Sequence, residues 1–294
     1  MSSTIELNIS VVKKIYDDVF KNVYRRNIDV FLCGAAGDRG NLSTRDKMKQ
    51  SLSKYDFITV LYPEDLFMEL LNKKTYDLLT LENFLANNCD LICIVCESAG
   101  AFVELGAFVN NAATFEKVIA LVQTKYKNKK SFIMMGPIRY IQSKHKSNVI
   151  YYSTDLTSAT DELKRQLYRE LRKSLTAPHI KDINLISGQY YFILLLLFFY
   201  KSAEVKSLIS GIREIYNHNK FEAERFDIVY SSAIRRLFKE HLIEKKTLDN
   251  GVSSYSLSLK GYGVSKSLIG DTRLRARTSA LDSIRLGILQ NLYY

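Results

Sequence analysis

Short apolar runs alternate with longer polar or amphipathic stretches along the first 180 residues of the chain. The runs are rich in β-branched and aromatic residues and have the length of strands. The run LICIVC after Asp90 is apolar at every position, which is typical of a strand covered on both faces in a parallel sheet. Five strands are predicted in this way, at residues 28–33, 57–62, 91–96, 118–123 and 148–152.

Helices are predicted between these strands, so strands and helices alternate along the chain. The pattern predicts an α/β fold, a Rossmann-like parallel sheet with helices on both faces. In such sheets the ligand binds outside the carboxyl ends of the strands. That rule brings four segments to one crevice: the loop after Cys33, the YPED and ESAG segments after the second and third strands, and the start of the helix that carries Glu104.

The remaining third of the chain has a different pattern, of three helices followed by a β-hairpin. The helices are predicted at residues 190–200, 203–215 and 226–241, and the sequence DNG at 249–251 is typical of a hairpin turn. This order predicts a C-terminal winged-helix domain, with Arg235, Arg236 and Lys239 on the recognition helix. We therefore expect two domains, at residues 1–178 and 179–294.

The segment YYFILLLLFFY at residues 190–200 is the most apolar part of the chain. Eleven helical residues reach only about 16 Å, whereas a bilayer core is about 30 Å thick. We therefore predict a buried helix or a subunit interface, and no membrane partner. No signal peptide is evident, and four cysteines in or beside the predicted strands are expected to be buried reduced thiols, so a cytoplasmic location is predicted. The four histidines show no ligand spacing, which predicts no metal.

The net charge of +11 and the pI of about 9.3 predict a polyanionic partner. Residues 117–154 contain no acidic residue. Aromatic residues that can stack on bases are interleaved with its cations. The stretch is predicted to bind nucleic acid or a protein partner, although a solvated lysine-rich loop is an alternative. The predicted contacts are Lys127, Lys129, Lys130 and Arg139.

The sequence ESAGAFVELGAF, at residues 97–108, joins the third strand to a helix. Gly100 is expected to permit a tight turn and close approach of a ligand. Glu104 follows about one turn into the helix, where a carboxylate can attack or stabilise an anomeric carbon as a base departs. The alternative is a glutamate that only complements the helix dipole.

The spacing of Ser98, Gly100 and Glu104, with Leu-Gly after the glutamate, resembles the nucleoside 2′-deoxyribosyltransferase superfamily. Further segments are similar to the effectors of bacterial retron anti-phage systems in that superfamily, and the resemblance covers most of residues 28–140. These segments are VFLCG, LYPEDLF, LTLENFLA, ESAGAFVELGAFVNN and KNKKSFIMMGPIRY. The resemblance implies an effector that hydrolyses NAD, as substrate and with no cofactor, at the nicotinamide–ribose bond. It also implies a complex with a retron reverse transcriptase and its branched RNA–DNA, multicopy single-stranded DNA, in a homo-oligomer or higher assembly.

The resemblance implies roles for individual residues. Glu104 would be the nucleophile, and Gly34 would lie near the nucleotide. Tyr62 and Glu64 would line the pocket, and Asp90 and Glu97 would neighbour the sugar. Arg139 is also a candidate for the NAD phosphates.

Ser98 departs from the superfamily pattern, because an aspartate often stands at its position. A serine cannot act as a general acid at neutral pH, which disfavours base exchange between nucleosides. Nicotinamide in NAD is already cationic and needs no protonation to leave. Two alternatives remain: a deoxyribosyltransferase or N-glycosidase acting on nucleotides or DNA bases, and a non-enzymatic nucleotide sensor with a DNA-binding winged helix.

Overall fold

The computed structural model describes residues 6–23, 27–37, 40–62, 64–66, 77–175, 181–247, 251–270, 272 and 277–293. The chain divides into two compact units, one of residues 26–173 and one that joins residues 1–25 to 174–294. The predicted boundary after residue 178 lies outside the described residues. The division differs from the predicted domains at the N-terminus, because the first helix, α1 (Ile9–Lys14), packs on helices from the end of the chain.

The unit of residues 26–173 contains a five-stranded parallel sheet in the order β2-β1-β3-β4-β5. The apolar runs form these strands because helices cover the sheet, and the apolar side chains of each strand are thereby removed from water. The predicted Rossmann-like α/β fold is therefore confirmed. The strands are β1 (Ile28–Cys33), β2 (Ile58–Leu61), β3 (Leu91–Cys96), β4 (Val118–Gln123) and β5 (Val149–Tyr152).

Helices flank this sheet. On one face α2 and α7 cover Val30 and Leu32, with Leu163 and Leu167 one helical turn apart on α7. On the other face, Phe31 meets Phe108 of α4 edge to face, with ring centroids 5.8 Å apart. The helices are α2 (Thr44–Leu52), α3 (Leu78–Asn88), α4 (Ala99–Val109), α5 (Ala112–Phe115), α6 (Arg139–Lys144) after a π-helical turn at Met134–Ile138, and α7 (Thr157–Leu175).

The strand order reverses between β1 and β3. From β1 the chain moves to β2 on one side and then crosses to β3 on the other. At such a switch point the connections after the two central strands diverge and leave a crevice at the carboxyl edge. The loop after Cys33 and the start of α4 therefore face the same crevice, as the sequence predicts.

The second unit contains the predicted three helices and hairpin, together with elements that were not predicted. A short strand pairs with the hairpin to form an antiparallel sheet in the order β6-β8-β7. Of the predicted turn at 249–251, residues 249 and 250 lie outside the described residues, and Gly251 has a φ of +79°. The elements are α8 (Ile186–Tyr200), β6 (Ser202–Glu204), α9 (Val205–His218), α10 (Phe226–Lys239), β7 (Ile243–Thr247), β8 (Ser253–Leu257), α11 (Leu259–Gly270) and α12 (Arg277–Tyr293).

The apolar helix α8 is buried along nearly its whole length within this unit. Its Phe192 meets Tyr16 and Phe20 from the N-terminal segment, with ring centroids 5.6 and 5.2 Å away. In the part of the chain that the structure describes, no helix combines the length and the apolar character needed to cross a membrane.

Candidate active site

Glu104 lies in the middle of α4, at the carboxyl edge of the sheet. The helix begins directly after β3 and is capped by Ser98, whose hydroxyl accepts a hydrogen bond from the Ala101 amide at 3.2 Å. The Oε2 atom of Glu104 is buried and has no hydrogen-bond partner among the described residues. Burial, together with the nearby charge of Glu82, raises the pKa of Glu104 from 4.5 to about 7.

Titratable groups from five other parts of this unit surround Glu104. Burial raises the pKa of both neighbouring thiols, that of Cys33 well above its usual value and that of Cys96 to about 12, so both stay protonated. A hydrogen bond from the Cys33 thiol lowers the pKa of Glu104, as does the positive charge of Arg45, whereas Glu64 raises it. The site is therefore a half-buried carboxylate set among acids, thiols and one guanidinium.

Arg45 occupies the first turn of α2 and is only 7% exposed. Its Nη1 donates to Glu64 Oε1 at 3.1 Å, and its guanidinium carbon lies 4.3 Å from the centre of the Tyr62 ring. Its Nε is buried and has no hydrogen-bond partner in the described parts of the chain. Arg45 thus links the segment after β2 to the crevice.

Gly34 directly follows β1 and has a φ of +145°, a backbone conformation that residues with a side chain rarely adopt. A Cβ at this position would lie 3.1 Å from the Val95 Cβ and 3.4 Å from the Arg45 Cβ. The loop that follows is tied to α2, since the Gly37 amide donates to Asp46 Oδ2 at 3.1 Å. Gly34 therefore lets β3 and α2 approach each other closely beside Glu104.

Several predicted site residues lie at this edge, with roles that differ in detail. Glu97 follows β3, and its Oε2 accepts a hydrogen bond from the Tyr152 hydroxyl at 3.3 Å. Gly100 makes no tight turn, because residues 97 and 98 form the strand–helix junction and Gly100 is already helical. A Cβ at Gly100 would still meet nothing within 4 Å, so the space beside it is open.

Tyr62 is also close to this edge but does not present its ring to the crevice. The ring is 7% exposed and lies under Arg45 and Lys49, whose Nζ is 3.9 Å from the ring centre. The hydroxyl donates to the Arg45 carbonyl and to Asp46 Oδ1, both at 3.4 Å. Tyr62 supports Arg45, whereas the half-exposed Glu64 lines the site.

The prediction that Asp90 neighbours the sugar is wrong. Asp90 precedes β3, so it lies at the amino edge of the sheet, where its Oδ2 accepts a hydrogen bond from the Asp29 amide at 2.8 Å. The strand separates it from Glu97 by about 20 Å. A residue before a parallel strand and a residue after it always lie at opposite edges.

Two residues of the site, Arg45 and Glu82, were not predicted. A cation in the first turn of a helix opposes the helix dipole, which favours acidic residues there, and this is the signal that marks Arg45. Glu82 is next to the buried Leu81 on α3, and its own pKa is raised by burial and by the charge of Glu64. Its place beside Glu104 depends on how α3 packs and has no local signature.

The basic stretch after β4 is exposed, as a binding surface requires. Lys127, Lys129, Lys130 and Arg139 are all exposed. Among the aromatic residues between them, the Phe132 and Tyr140 side chains are 85% and 47% exposed. Exposed rings among cations suit stacking on the bases of a single strand, and nucleic-acid binding here stays a prediction.

On α10 the predicted contact set needs one correction. The Arg236 side chain is 4% exposed, its Nε donates to Glu240 Oε1 at 2.8 Å, and its guanidinium stacks 4.3 Å from the Tyr190 ring centre. Arg236 shares a helix face with the buried Ser232 and Ala233, which lie one turn before it. It is therefore part of the core, whereas Arg235 is partly exposed and Lys239 is exposed.

The cysteines and histidines of the described residues do not form a metal centre. All four cysteines are free and buried. Within the described ranges, no group of three or more His, Cys, Asp or Glu side chains has the geometry to hold a metal ion.

Comparison with known proteins gives consistent matches. Residues 41–245 match the family model described as STM3845 retron effector protein. An Escherichia coli protein named "Retron Ec86 putative ribosyltransferase/DNA-binding protein" is 31% identical over 275 residues, which cover 89% of this chain and 84% of that protein. A second Escherichia coli protein, of retron Ec73 and with the same description, is 34% identical over 146 residues, 46% of this chain and 45% of that protein.

Proposed function

The chain belongs to the STM3845 retron effector family, and from this premise we propose that it is an N-glycosidase that releases nicotinamide from NAD in anti-phage defence. Glu104 is the proposed nucleophile. The names of the two relatives, which describe a ribosyltransferase, support glycosyl transfer as the reaction class.

The observation that carries the proposal is the buried Oε2 of Glu104, at the switch point of the sheet, which has no partner in the part of the chain that the structure describes. In the proposed reaction this oxygen attacks C1′ of the nicotinamide-bearing ribose. The C1′–N bond breaks, and its electron pair neutralises the pyridinium as nicotinamide leaves. Water then hydrolyses the glycosyl ester, which yields ADP-ribose, a proton and the free Glu104 carboxylate.

The surroundings of Glu104 suit a cationic leaving group. Glu64 and Glu82 add negative charge near the reacting carbon, and such charge stabilises a pyridinium riboside and the oxocarbenium-like state that follows. Ser98 caps α4 and supplies no acid. Nicotinamide needs no protonation, so these groups are sufficient for hydrolysis of NAD.

The test is nicotinamide release from NAD by the purified chain, alone and reconstituted with its retron reverse transcriptase and RNA–DNA. We expect Glu104→Gln to lower the rate at least 10³-fold, on the order of the loss when a nucleophile is removed. Glu116→Gln is the matched control, because it makes the same chemical change at an exposed residue paired with His145. Equal rates in wild type and Glu104→Gln would refute the proposed role.

One observation favours a second candidate, an N-glycosidase acting on nucleotides or DNA bases. With a pKa of about 7, Glu104 is about half protonated at neutral pH and can donate a proton to a neutral leaving base. Release of bases from deoxynucleotides, with NAD left intact, would support this candidate. If the chain binds nucleotides without turnover, and Glu104→Gln binds them as tightly as wild type, a nucleotide sensor would be supported instead.

We further propose that the chain binds the reverse transcriptase and multicopy single-stranded DNA of its retron. The arrangement of α8, β6, α9, α10, β7 and β8 supports a winged helix, and the relatives' printed names include DNA-binding. Two surfaces are proposed, the basic stretch after β4 and the exposed side of α10 at Arg235 and Lys239.

These surfaces can be tested separately by charge reversal. Changing Lys127, Lys129 and Lys130 to Glu, or Arg235 and Lys239 to Glu, should each weaken complex formation at least tenfold. The control reverses three cations on α7, namely Lys164, Arg165 and Arg169. If the control weakens complex formation as much as the first two variants do, the effect comes from net charge in general and neither surface is a defined binding site.

A further inference from the structure

We propose that a groove on the side of α4 opposite to Glu104 binds an unstacked base of a single-stranded nucleic acid. This role rests on the proposed binding of nucleic acid by the basic stretch after β4. It adds which part of the strand enters the protein and where. The groove has a volume of about 690 Å³, and pockets of about 300–1,000 Å³ are typical of sites for small ligands.

The groove is separate from the catalytic crevice, although α4 contributes to both. Gly106 lines the groove and follows Glu104 by two residues, so a side chain there would point about 200° around the helix from Glu104. The base proposed to bind here is therefore distinct from the substrate. Residues that line the groove include Gly106, Val109, Asn110, Phe115, Phe132 and Tyr140.

Two exposed aromatic rings form one wall of the groove. The Phe132 and Tyr140 side chains are 85% and 47% exposed. Gly136 lies between them in sequence, and a Cβ there would be 3.8 Å from the Phe132 ring, so no side chain fills the space between the rings. Phe115 supports the Tyr140 ring, with centroids 5.0 Å apart. Exposed rings on a folded surface provide faces on which bases stack.

The charges around the groove fit a strand whose phosphates stay outside it. Glu116, the acidic residue of the groove, is bonded to His145 at 2.7 Å, and a carboxylate disfavours a phosphate within the groove. A neutral base can enter, and the exposed Asn110 amide can donate to or accept from its edge. Exposed cations before and after the Phe132 ring in sequence can hold the flanking phosphates. They are Lys127, Lys129, Lys130, Arg139 and Lys144.

This arrangement selects single strands. In a duplex the bases are paired and stacked, so a base must first be extruded before it can meet a ring. A single strand offers its bases without that cost. An apolar protein segment could contact the rings, but it would leave the surrounding cations without phosphates to neutralise.

The test compares two single strands of about 12 nucleotides, a length within the span of one binding module. One is oligodeoxyadenylate, and the other is the same strand with abasic sites in its centre. Both carry the same phosphates, so their difference in Kd reports the bases alone. We expect wild type to bind the intact strand about tenfold more tightly, on the order of the contribution of one stacked base.

Two substitutions locate this difference in the groove. A Cβ at Gly106 would meet nothing within 4 Å, so Gly106→Leu fills the groove without displacing a neighbour. It should weaken binding of the intact strand to the level of the abasic strand, whose Kd should not change. Phe132→Leu removes an exposed ring and should act in the same direction. The matched control is Tyr168→Leu, which removes a 53% exposed ring on α7 and should keep the tenfold ratio.

Equal Kd values for the two strands in wild type, or a tenfold ratio that persists in Gly106→Leu, would overturn the role of the groove. A persistent ratio together with lost binding of the reverse transcriptase would assign the groove to a protein partner instead. An equal loss of affinity for a DNA duplex of the same length would also overturn it. If Gly106→Leu does not fold, Phe132→Leu decides the question, because its exposed ring buries little surface.

Failure of the groove and failure of the proposed nucleic-acid binding give different results. If wild type binds both strands equally and with strong salt dependence, the basic surface is upheld and the groove alone is refuted. If wild type binds neither strand, the proposed nucleic-acid binding itself is refuted.

Discussion

At the scale of single residues, burial gives Glu104 a property that its place in the sequence does not reveal. Its pKa rises from 4.5 to about 7, so the folded protein holds a proton between these values that the unfolded chain has released. Stability is therefore lost as the pH rises towards 7, because folding must bury an ionised carboxylate.

Replacing Glu104 by the neutral isostere Gln should remove this cost. We expect Glu104→Gln to increase the free energy of unfolding by about 2 kcal/mol at pH 8, after the shift is discounted for solvent screening, and to change it little at pH 4. Urea unfolding at the two pH values measures both. A variant that is no more stable than wild type at pH 8 would contradict the burial of a charged carboxylate.

The same pKa separates the two candidate reactions. A nucleophile must be ionised, so kcat/KM for NAD should rise with pH and level off above about 7. A general acid must be protonated, so kcat/KM for a deoxynucleotide should fall over the same range. The direction of the pH profile on each substrate therefore identifies the role of Glu104.

Part of this site could be predicted from the sequence, and part could not. The order of strand and helix along the chain placed Glu104 at the carboxyl edge, because a helix that follows a parallel strand begins at that edge. The same rule, applied to the start of β3, would have placed Asp90 at the other edge. Arg45 and Glu82 lie on two different helices that both precede Glu104 in sequence, and only tertiary packing brings their charges together.

At the scale of elements, local pattern identified the long segments and missed the irregular ones. Five apolar runs gave five strands, and Ser43 caps α2 with a reciprocal bond to Asp46. The three-residue strand β6 is too short for periodicity to mark it. The helical turns before α6 contain Gly136 and Pro137, which usually end helices.

Helix α11 packs closely on the backbone of Leu242, and this contact gives a prediction. A Cβ at Gly261, in its first turn, would lie 1.9 Å from the carbonyl oxygen of Leu242, whereas a Cβ at Gly263 would meet nothing within 4 Å. Gly261→Ala should destabilise the unit by at least about 2 kcal/mol, and Gly263→Ala should stabilise it by about 0.5–1 kcal/mol.

Thermal unfolding of the two alanine variants measures this difference. Both substitutions add the same methyl group to the same helix, so helix propensity cancels between them. Similar Tm values for the two would show that α11 is not in contact with the Leu242 backbone.

At the scale of the whole molecule, the sequence correctly indicates an α/β part and a helical part with a hairpin. The place of the N-terminal residues was not indicated. Val11 and Val12 of α1 are buried, and the Leu7 amide donates to Ser207 Oγ at 2.8 Å, about 200 residues away in sequence. Contacts between residues so far apart in sequence leave no local pattern, because each of the two contacting segments, taken alone, resembles any amphipathic helix.

The net charge of +11 gives a prediction for nucleic-acid binding. Affinity for single-stranded DNA should fall as salt rises, with a slope of about −0.7 per phosphate contacted on logarithmic axes. Replacing Lys127, Lys129 and Lys130 by Gln should make the slope about 2 shallower. A slope that the substitutions do not change would exclude these lysines from the contact surface.

The pairing of α1 with α12 in one unit has a consequence for biosynthesis. Asn8 beside α1 donates to Asn291 on α12 at 2.8 Å, so this unit can gain α12 only after residue 291 has been synthesised. Residues 26–173, which carry Glu104, leave the ribosome roughly 120 residues earlier. At about 5–20 residues per second, this amounts to about 6–24 s. During translation, the unit that carries Glu104 and the basic stretch after β4 would therefore be complete before the second proposed surface, at Arg235 and Lys239 on α10, has formed.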